Sequence, residues 1–513
     1  MDGLTGCRRF ADRWTARRTL IAVALVAGGA IWLPGVSQMR FYGDDYSVLR
    51  TIQYAFPTWR DDFRVMNNGL WRPGIHLFFR MCYNLVGMSP PLYHYALWVI
   101  HILCAVLVWR VALRIGVAMR YAWLVPLVLL IHFAPWVAVL WPAAIGDSGS
   151  TLFILGGLLG YVGTAKRERP VLCWALTVAA GTGALFMKET GLLLISILLL
   201  YELFVERVWK SPRVLRQALF HLAPLAIVSL VYGVWMVWRI LCAEQNYLNM
   251  GTFQLVGLHV PRNISDFVVS IFLPWPYRGA PPGLELLTGR NALLTARLAM
   301  LAALPLAVLF WWRRGDRISL WLVAWIVMAS LVPSCSLSPP SSHFTYVATA
   351  GFAILFARIV GQIMESVRRP ERRTARATAV SVIAVYLLLF AASDVFSPAV
   401  RHLVRTSREV ETMAEELVAQ AQRQPDCNRF VLIDPPLDGL EFYQNAIANV
   451  VAAIFLQDRE VWVGVLRTNQ VKQTVAGKQL PDDVRFFRCS RGRLTDVTKQ
   501  VHELATNRRE MDF

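Results

Sequence analysis

The sequence predicts an all-α polytopic membrane protein of about eleven transmembrane helices, followed by a small C-terminal α/β domain outside the cytoplasm. Three observations predict it. Hydrophobic residues fill 56% of the 513 positions and mean hydropathy is +0.44, a balance that soluble domains rarely reach. The net charge of +18 is dispersed in short Lys and Arg clusters between apolar runs, as the positive-inside rule requires, and forms no single basic face for nucleic acid. After residue 396 the long apolar runs give way to an amphipathic helix and strand-like segments.

Hydropathy places spans near 19–36, 91–113, 121–141, 147–164, 170–187, 190–206, 218–241, 292–312, 318–335, 345–364 and 375–396. Arg8, Arg9, Arg13, Arg17 and Arg18 precede the first span and put the N-terminus in the cytoplasm. Arg114 and Arg120, Lys166 to Arg169, Arg207 to Arg216, Arg313 to Arg317 and Arg368 to Arg376 then fall on the same side, while the short loops 142–146 and 336–344 carry no Lys or Arg. The Arg-rich start and the small residues near Ala30 also fit a cleaved signal peptide, although the length of the run and the spans after it favour a retained helix. The odd span count leaves the C-terminal part outside, and divides the chain into a transmembrane unit, 1–396, and an extracytoplasmic unit, 397–513.

Two outward loops are long, 37–90 and 242–291. "WRPGIHLFFRMCYNLVGM" sets His76 and Arg80 among apolar residues at near-helical spacing, which predicts an interfacial amphipathic helix. "ISDFVVSIFLPWP" predicts another, stopped by Pro274 and Pro276. In the C-terminal unit "TSREVETMAEELVAQAQR" is a helix, "RFVLID", "VWVGVL" and "VRFFRC" are strands, and Pro435, Pro436 and Gly439 make a turn. A twelfth span over 443–456 is shorter than the roughly 20 residues a bilayer needs. No CxxC or Cys/His ligand spacing supports zinc; Cys427 and Cys489 are candidates for a disulfide in an oxidising compartment.

The residues that point to chemistry gather on the outward side. Asp44 and Asp45 stand together in "RFYGDDYSVLR", just past the first span, where paired carboxylates serve as general base or metal ligand, or cap a helix over 46–55. Arg72 precedes Pro73, and Lys188 and Glu189 sit at the break in "FMKETGLLL". His343 and Tyr346 open a later span in "SSHFTYVATAG". His94 and His101, seven residues apart, share a face of the second span, where an ionisable group is either functional or bonded to a neighbouring helix. Cations beside carboxylates at one membrane face suit a lipid-linked phosphate. Snorkelling explains Arg72 and hairpin capping explains the Lys188–Glu189 pair equally well. Glu202 falls fourteen residues past Lys188, roughly 21 Å along a helix, away from this face.

Through "DD" at 44–45, "WRPGIHLFF" at 71–79, "PLYHYALWVIHILCAVL" at 91–107 and "FMKETGLLL" at 186–194, the chain resembles the GT-C membrane glycosyltransferases, which include protein O-mannosyltransferases and bacterial aminoarabinose transferases. At "SSHFTYVATAG", where relatives carry Arg-aromatic-x-Tyr, His343 takes the Arg place and Tyr346 the Tyr place. The resemblance implies a polyprenyl-phosphate sugar donor, inversion at the anomeric carbon, and a glycan, lipid or protein acceptor outside the cytoplasm. It also implies a multi-pass protein of the bacterial inner membrane. It carries the role of catalytic base to Asp44, with Asp45 beside it, and leaves Arg72, His94, Lys188, Glu189, His343 and Tyr346 as substrate contacts. No cofactor is required; a divalent metal, Mg or Mn, stays open. A transporter or flippase of lipid-linked glycans, or a polysaccharide polymerase or ligase, is the alternative. The first should spread its charges through the bilayer depth, and the second usually has a larger Arg- and His-rich loop.

Overall fold

The structure is a computed structural model that describes residues 19–506 apart from 66–69, 166–169, 243–253, 255–256, 274–297, 300–301, 332, 336–341, 369–371, 396–397, 436–461, 476–478 and 482. Seven described helices are long and apolar enough to cross a membrane: Thr19–Gln38, Pro90–Arg114, Pro142–Gly163, Pro212–Cys242, Arg317–Cys335, His343–Ser366 and Arg373–Ala392. Val171–Met187 is a shorter apolar helix. The chain thus reads as an integral membrane protein.

Among the described residues, the structure departs from the expected spans in two places. The run 121–141 is two short helices, Leu124–Leu130 and Trp136–Leu140. Proline at 135 has no N–H for a continuing helix, and His132 instead bonds the chain at the break through Nε2 to the Ile271 carbonyl, 2.8 Å, and through Nδ1 to the Ala134 N–H, 3.0 Å. The run 190–206 holds only a nine-residue α-helix, Leu193–Tyr201, between a 3-10 turn and a π turn. Of the run 292–312, most of the first half lies outside the described residues, as do Pro274, Pro276, Pro436, Gly439 and the segment 443–456.

The bundle is organised around the helix Ile145–Ala165, which packs along Pro170–Met187 and Pro90–Arg114. Small residues make that approach close: a Cβ on Gly160 would stand 2.8 Å from the Cys173 carbonyl oxygen. At the end of Pro170–Met187 the chain reverses through the 3-10 turn Glu189–Leu192. There Gly191 lies against the helix it has just left, where a Cβ would come 2.5 Å from the backbone carbon of Ala184. Gly191→Ala is therefore expected to destabilise the protein by about 1–3 kcal/mol, the usual cost of forced overpacking. Thermal unfolding of the purified variant checks it, and an unchanged midpoint would mean that the reversal has room.

The first loop and the C-terminal part share one core. Phe41, Tyr46, Leu49, Phe79 and Tyr93 cluster with Val410, Met413, Leu417, Phe430 and Phe487. The helix Pro398–Arg423 supplies Val410, Met413 and Leu417, at helical spacing along its buried side. Beyond it lies a four-stranded sheet of β1 (Arg429–Ile433), β2 (Trp462–Leu466), β3 (Val484–Ser490) and β4 (Arg493–Asp496) in the order β2-β1-β3-β4. β1 pairs parallel with β2 and β3, and β4 returns antiparallel. This is the small α/β unit that the strand-like segments predict. The register Arg429↔Val484 to Ile433↔Arg488 puts Cys427 at the start of β3's path and Cys489 near its end. Seven register positions at roughly 3.3 Å each separate the two levels, too far for the suggested disulfide.

Candidate active site

The helix Asp44–Arg50 begins on the acid pair, so both carboxylates sit at its positive end. Gly43 precedes it at φ +53°, a conformation that favours glycine. The two acids then part company. Asp45 is fully buried and accepts backbone N–H groups with both oxygens: Tyr42 to Oδ2 at 2.9 Å and Ala143 to Oδ1 at 2.7 Å. Burial raises its carboxyl well above the ordinary range, against the lowering effect of those two N–H groups. Asp44 is half-buried.

Asp45 is one of two ties between this loop and the corner that opens the Pro142–Gly163 helix. Trp141 makes the other, donating Nε1–H to the Tyr42 carbonyl at 3.0 Å. On its far side the Trp141 ring meets His343, centroids 6.1 Å apart. One turn past the corner stands Asp147, buried, with both oxygens on the Lys188 ammonium at 2.9 and 2.8 Å. His343 Nε2 lies 3.7 Å from the same carboxylate, and Lys188 Nζ sits 4.5 Å from the centre of the Phe344 ring. Beside this pair, Arg72 clasps Glu189 with Nε at 3.0 Å and Nη2 at 2.6 Å. Burial works against the Glu189 carboxyl, but Arg72 and Lys188 outweigh it and hold the group at about 2, ionised at neutral pH.

Arg72, Lys188, Glu189 and His343 are thus brought into one cluster, linked through Trp141 to the loop of Asp44 and Asp45. Local packing explains the closeness: a Cβ on Gly146 would stand 3.3 Å from the Met187 carbonyl, and one on Gly74 would meet the Met187 side chain. Two expected contacts are engaged elsewhere. His94 Nδ1 bonds the Leu140 carbonyl at 2.8 Å, one residue before Trp141. Tyr346 is fully buried, its hydroxyl bonded to His101 Nδ1. Glu202 bonds Tyr161 at 2.5 Å, apart from the cluster. Asp147 joins the cluster in addition to the residues expected; its one signal in the sequence is a carboxylate inside the apolar run "PAAIGDSGSTLFILGG".

The rest of the first loop is pinned separately. Arg80, on the helix Pro73–Val86, grips buried Asp62 with Nε at 2.5 Å and Nη2 at 2.7 Å and also bonds the Phe56 carbonyl. Among the described residues, no group of three or more His, Cys, Asp or Glu is placed to hold a metal ion.

No protein-family profile matches the chain, and no curated protein matches it. Among solved structures it is similar to ArnT from Cupriavidus metallidurans bound to undecaprenyl phosphate, at 16% identity and a TM-score of 0.49, with 93% of each chain covered. It is also similar to the oligosaccharyltransferase AglB from Archaeoglobus fulgidus in complex with an inhibitory peptide and a dolichol-phosphate. There the identity is 13% and the TM-score 0.50, over 86% of this chain and 64% of that one. The second likeness shows the fold alone: the chain shares the architecture of that membrane protein.

Proposed function

We propose that this chain is a membrane glycosyltransferase that moves a sugar from a polyprenyl phosphate to an acceptor hydroxyl or amide outside the cytoplasm, with Asp44 as general base. The observation that carries the reading is the placement of Asp44 on a loop fixed by Asp45 and Trp141 beside the Arg72–Glu189 and Lys188–Asp147 pairs. The shared fold supports it, since AglB with that fold has been solved with a dolichol-phosphate. Asp44 takes the acceptor proton as the acceptor atom attacks the anomeric carbon. The bond from that carbon to phosphate oxygen breaks, and its electron pair leaves on the lipid phosphate. The sugar is inverted.

The other residues prepare this step. Asp45, its oxygens spent on backbone N–H groups, positions the loop. Arg72, oriented by Glu189, meets the donor phosphate, and a guanidinium is suited to spread that negative charge. Lys188 adds positive potential from beneath, balanced by Asp147, and the neutral His343 ring lines the same corner. Residues 397–513 form the extracytoplasmic cover of this site, and 1–396 its membrane scaffold. The acceptor is a glycan, a lipid or a protein.

Transfer from radiolabelled polyprenyl-phosphate sugars, tested as a panel in membranes containing the protein, is the direct test. Label appearing in no acceptor from any donor would overturn the reading. Within an active system, Arg72→Ala is expected to raise the KM for the lipid donor by about tenfold or more, the scale of one lost charge-assisted hydrogen bond, with a smaller change in kcat. An unchanged KM would remove Arg72 from the phosphate.

A further inference from the structure

A second basic site lies away from this cluster, where the first span meets the C-terminal helix. A cavity of about 530 Å³ opens between the last turns of Thr19–Gln38 and the start of Pro398–Arg423. Its floor is apolar and belongs to the span: Trp32, Pro34 and Gly35, with Val404 facing them. Four arginines rim it, Arg401, Arg405, Arg408 and Arg491, against one carboxylate, Glu409.

The fold places these arginines by two independent devices. Arg401, Arg405 and Arg408 follow one another at four and three residues along the helix, hence on one exposed face. Arg491 comes from the turn between β3 and β4, held at φ +52° and followed by Gly492 at φ +82°. A non-glycine residue in that region carries a backbone cost and is kept there by its surroundings. Here the turn is docked directly on the helix, since a Cβ on Gly492 would come 2.5 Å from the Glu409 carbonyl oxygen. Arg405 donates to His402 Nδ1 at 3.2 Å and lies 3.9 Å from Glu409, while Arg408 donates to Gln38 Oε1 at 3.2 Å, so the helix and the span end are joined around the cavity.

We propose that this groove binds the phosphate headgroup of an anionic glycerophospholipid from the surrounding bilayer. The charge complement is four guanidinium groups to one carboxylate, and guanidinium is the side chain best matched to phosphate. The floor, made by the final turns of a membrane-spanning helix, lets the acyl chains run on along the span while the headgroup stays at the arginines. A soluble anion would gain nothing from that floor. The bound lipid clamps the C-terminal helix to the first span.

The test is lipid retention by the full-length protein, reconstituted in phosphatidylcholine nanodiscs with a minor fraction of phosphatidylglycerol, released into detergent and examined by native mass spectrometry. Phosphatidylglycerol should be retained over phosphatidylcholine. Retention should weaken roughly tenfold in Arg405→Gln/Arg491→Gln, the scale of lost charged hydrogen bonds to phosphate. Both side chains are exposed, so folding should be preserved, and Arg405→Lys/Arg491→Lys should keep most of the retention. Arg493→Gln, also exposed, serves as the neutral control. The proposal is overturned if the Gln pair retains phosphatidylglycerol like the parent, if phosphatidylcholine is held equally, or if added inorganic phosphate displaces the lipid, which would mark a site for free anions.

Discussion

Asp44→Asn should lower sugar transfer by about 10²-fold or more, the usual loss when a general base is removed. Asparagine keeps the shape of the side chain at a half-buried position, so expression and unfolding should stay near those of the parent. The comparison with Asp45→Asn is informative because the two acids hold different partners. Asp45 joins Tyr42 to Ala143, and an amide can accept at only one end, so its replacement should loosen the loop and cost stability together with activity. Asp44→Asn should cost activity alone. Initial rates beside thermal unfolding of the same preparations separate the two effects. Full transfer in Asp44→Asn would take the base away from this residue, whatever the fold.

The second large effect is expected at Asp147. Its carboxylate and the Lys188 ammonium are both nearly buried, at 4% and 6% side-chain exposure, so neither can turn to water if its partner is lost. Asp147→Ala should destabilise the protein by about 3–5 kcal/mol, because the ammonium is then buried without compensation. Replacing both, as in Asp147→Leu/Lys188→Met, should recover most of that loss, since a well-packed apolar pair avoids the desolvation cost. A single variant as stable as the parent would show that the pair contributes little, and a double variant worse than the single would show that packing, rather than charge, holds the corner. Chemical unfolding in detergent, followed for the parent and both variants, distinguishes these outcomes.

Local pattern made some of this molecule legible in its sequence. Pro73 at the first turn and the apolar spacing after it announced the helix Pro73–Val86, and the charge-striped run to Arg423 announced the long C-terminal helix. The strands could be read from short β-branched and aromatic runs. What could not be read depended on partners distant in the chain. Hydropathy summed over 121–141 looks continuous, yet His132 bonds Ile271 across 139 residues and holds the break open. Asp147, at the head of the run 147–164, has no local sign of its partner, because Lys188, which occupies both its oxygens, lies 41 residues on. Cys427 and Cys489 invited a bridge only while the register of β1 on β3 was unknown. In the site itself, residue types marked Arg72, Lys188 and Glu189, but not the pairing: Glu189 goes to Arg72, and Lys188 to Asp147.

The apolar cluster that joins Phe41, Tyr46 and Leu49 to Val410, Leu417 and Phe430 sets an order on biogenesis. Arg40 meets Ser407 and Glu411 across 367 and 371 residues, so the segment bearing the acid pair leaves the ribosome early and waits for almost the whole chain before its partners exist. Contacts of such separation form late, after the entropy of closing a very long loop has been spent. A chain cut before the helix Pro398–Arg423 would still join Asp45 to Ala143 and Trp141 to Tyr42, but it would lack Ser407, Glu411 and the apolar partners of Phe41, Tyr46 and Leu49. The segment around the acid pair thus gains its last fastenings only once residues 367 and 371 positions beyond Arg40 have been made.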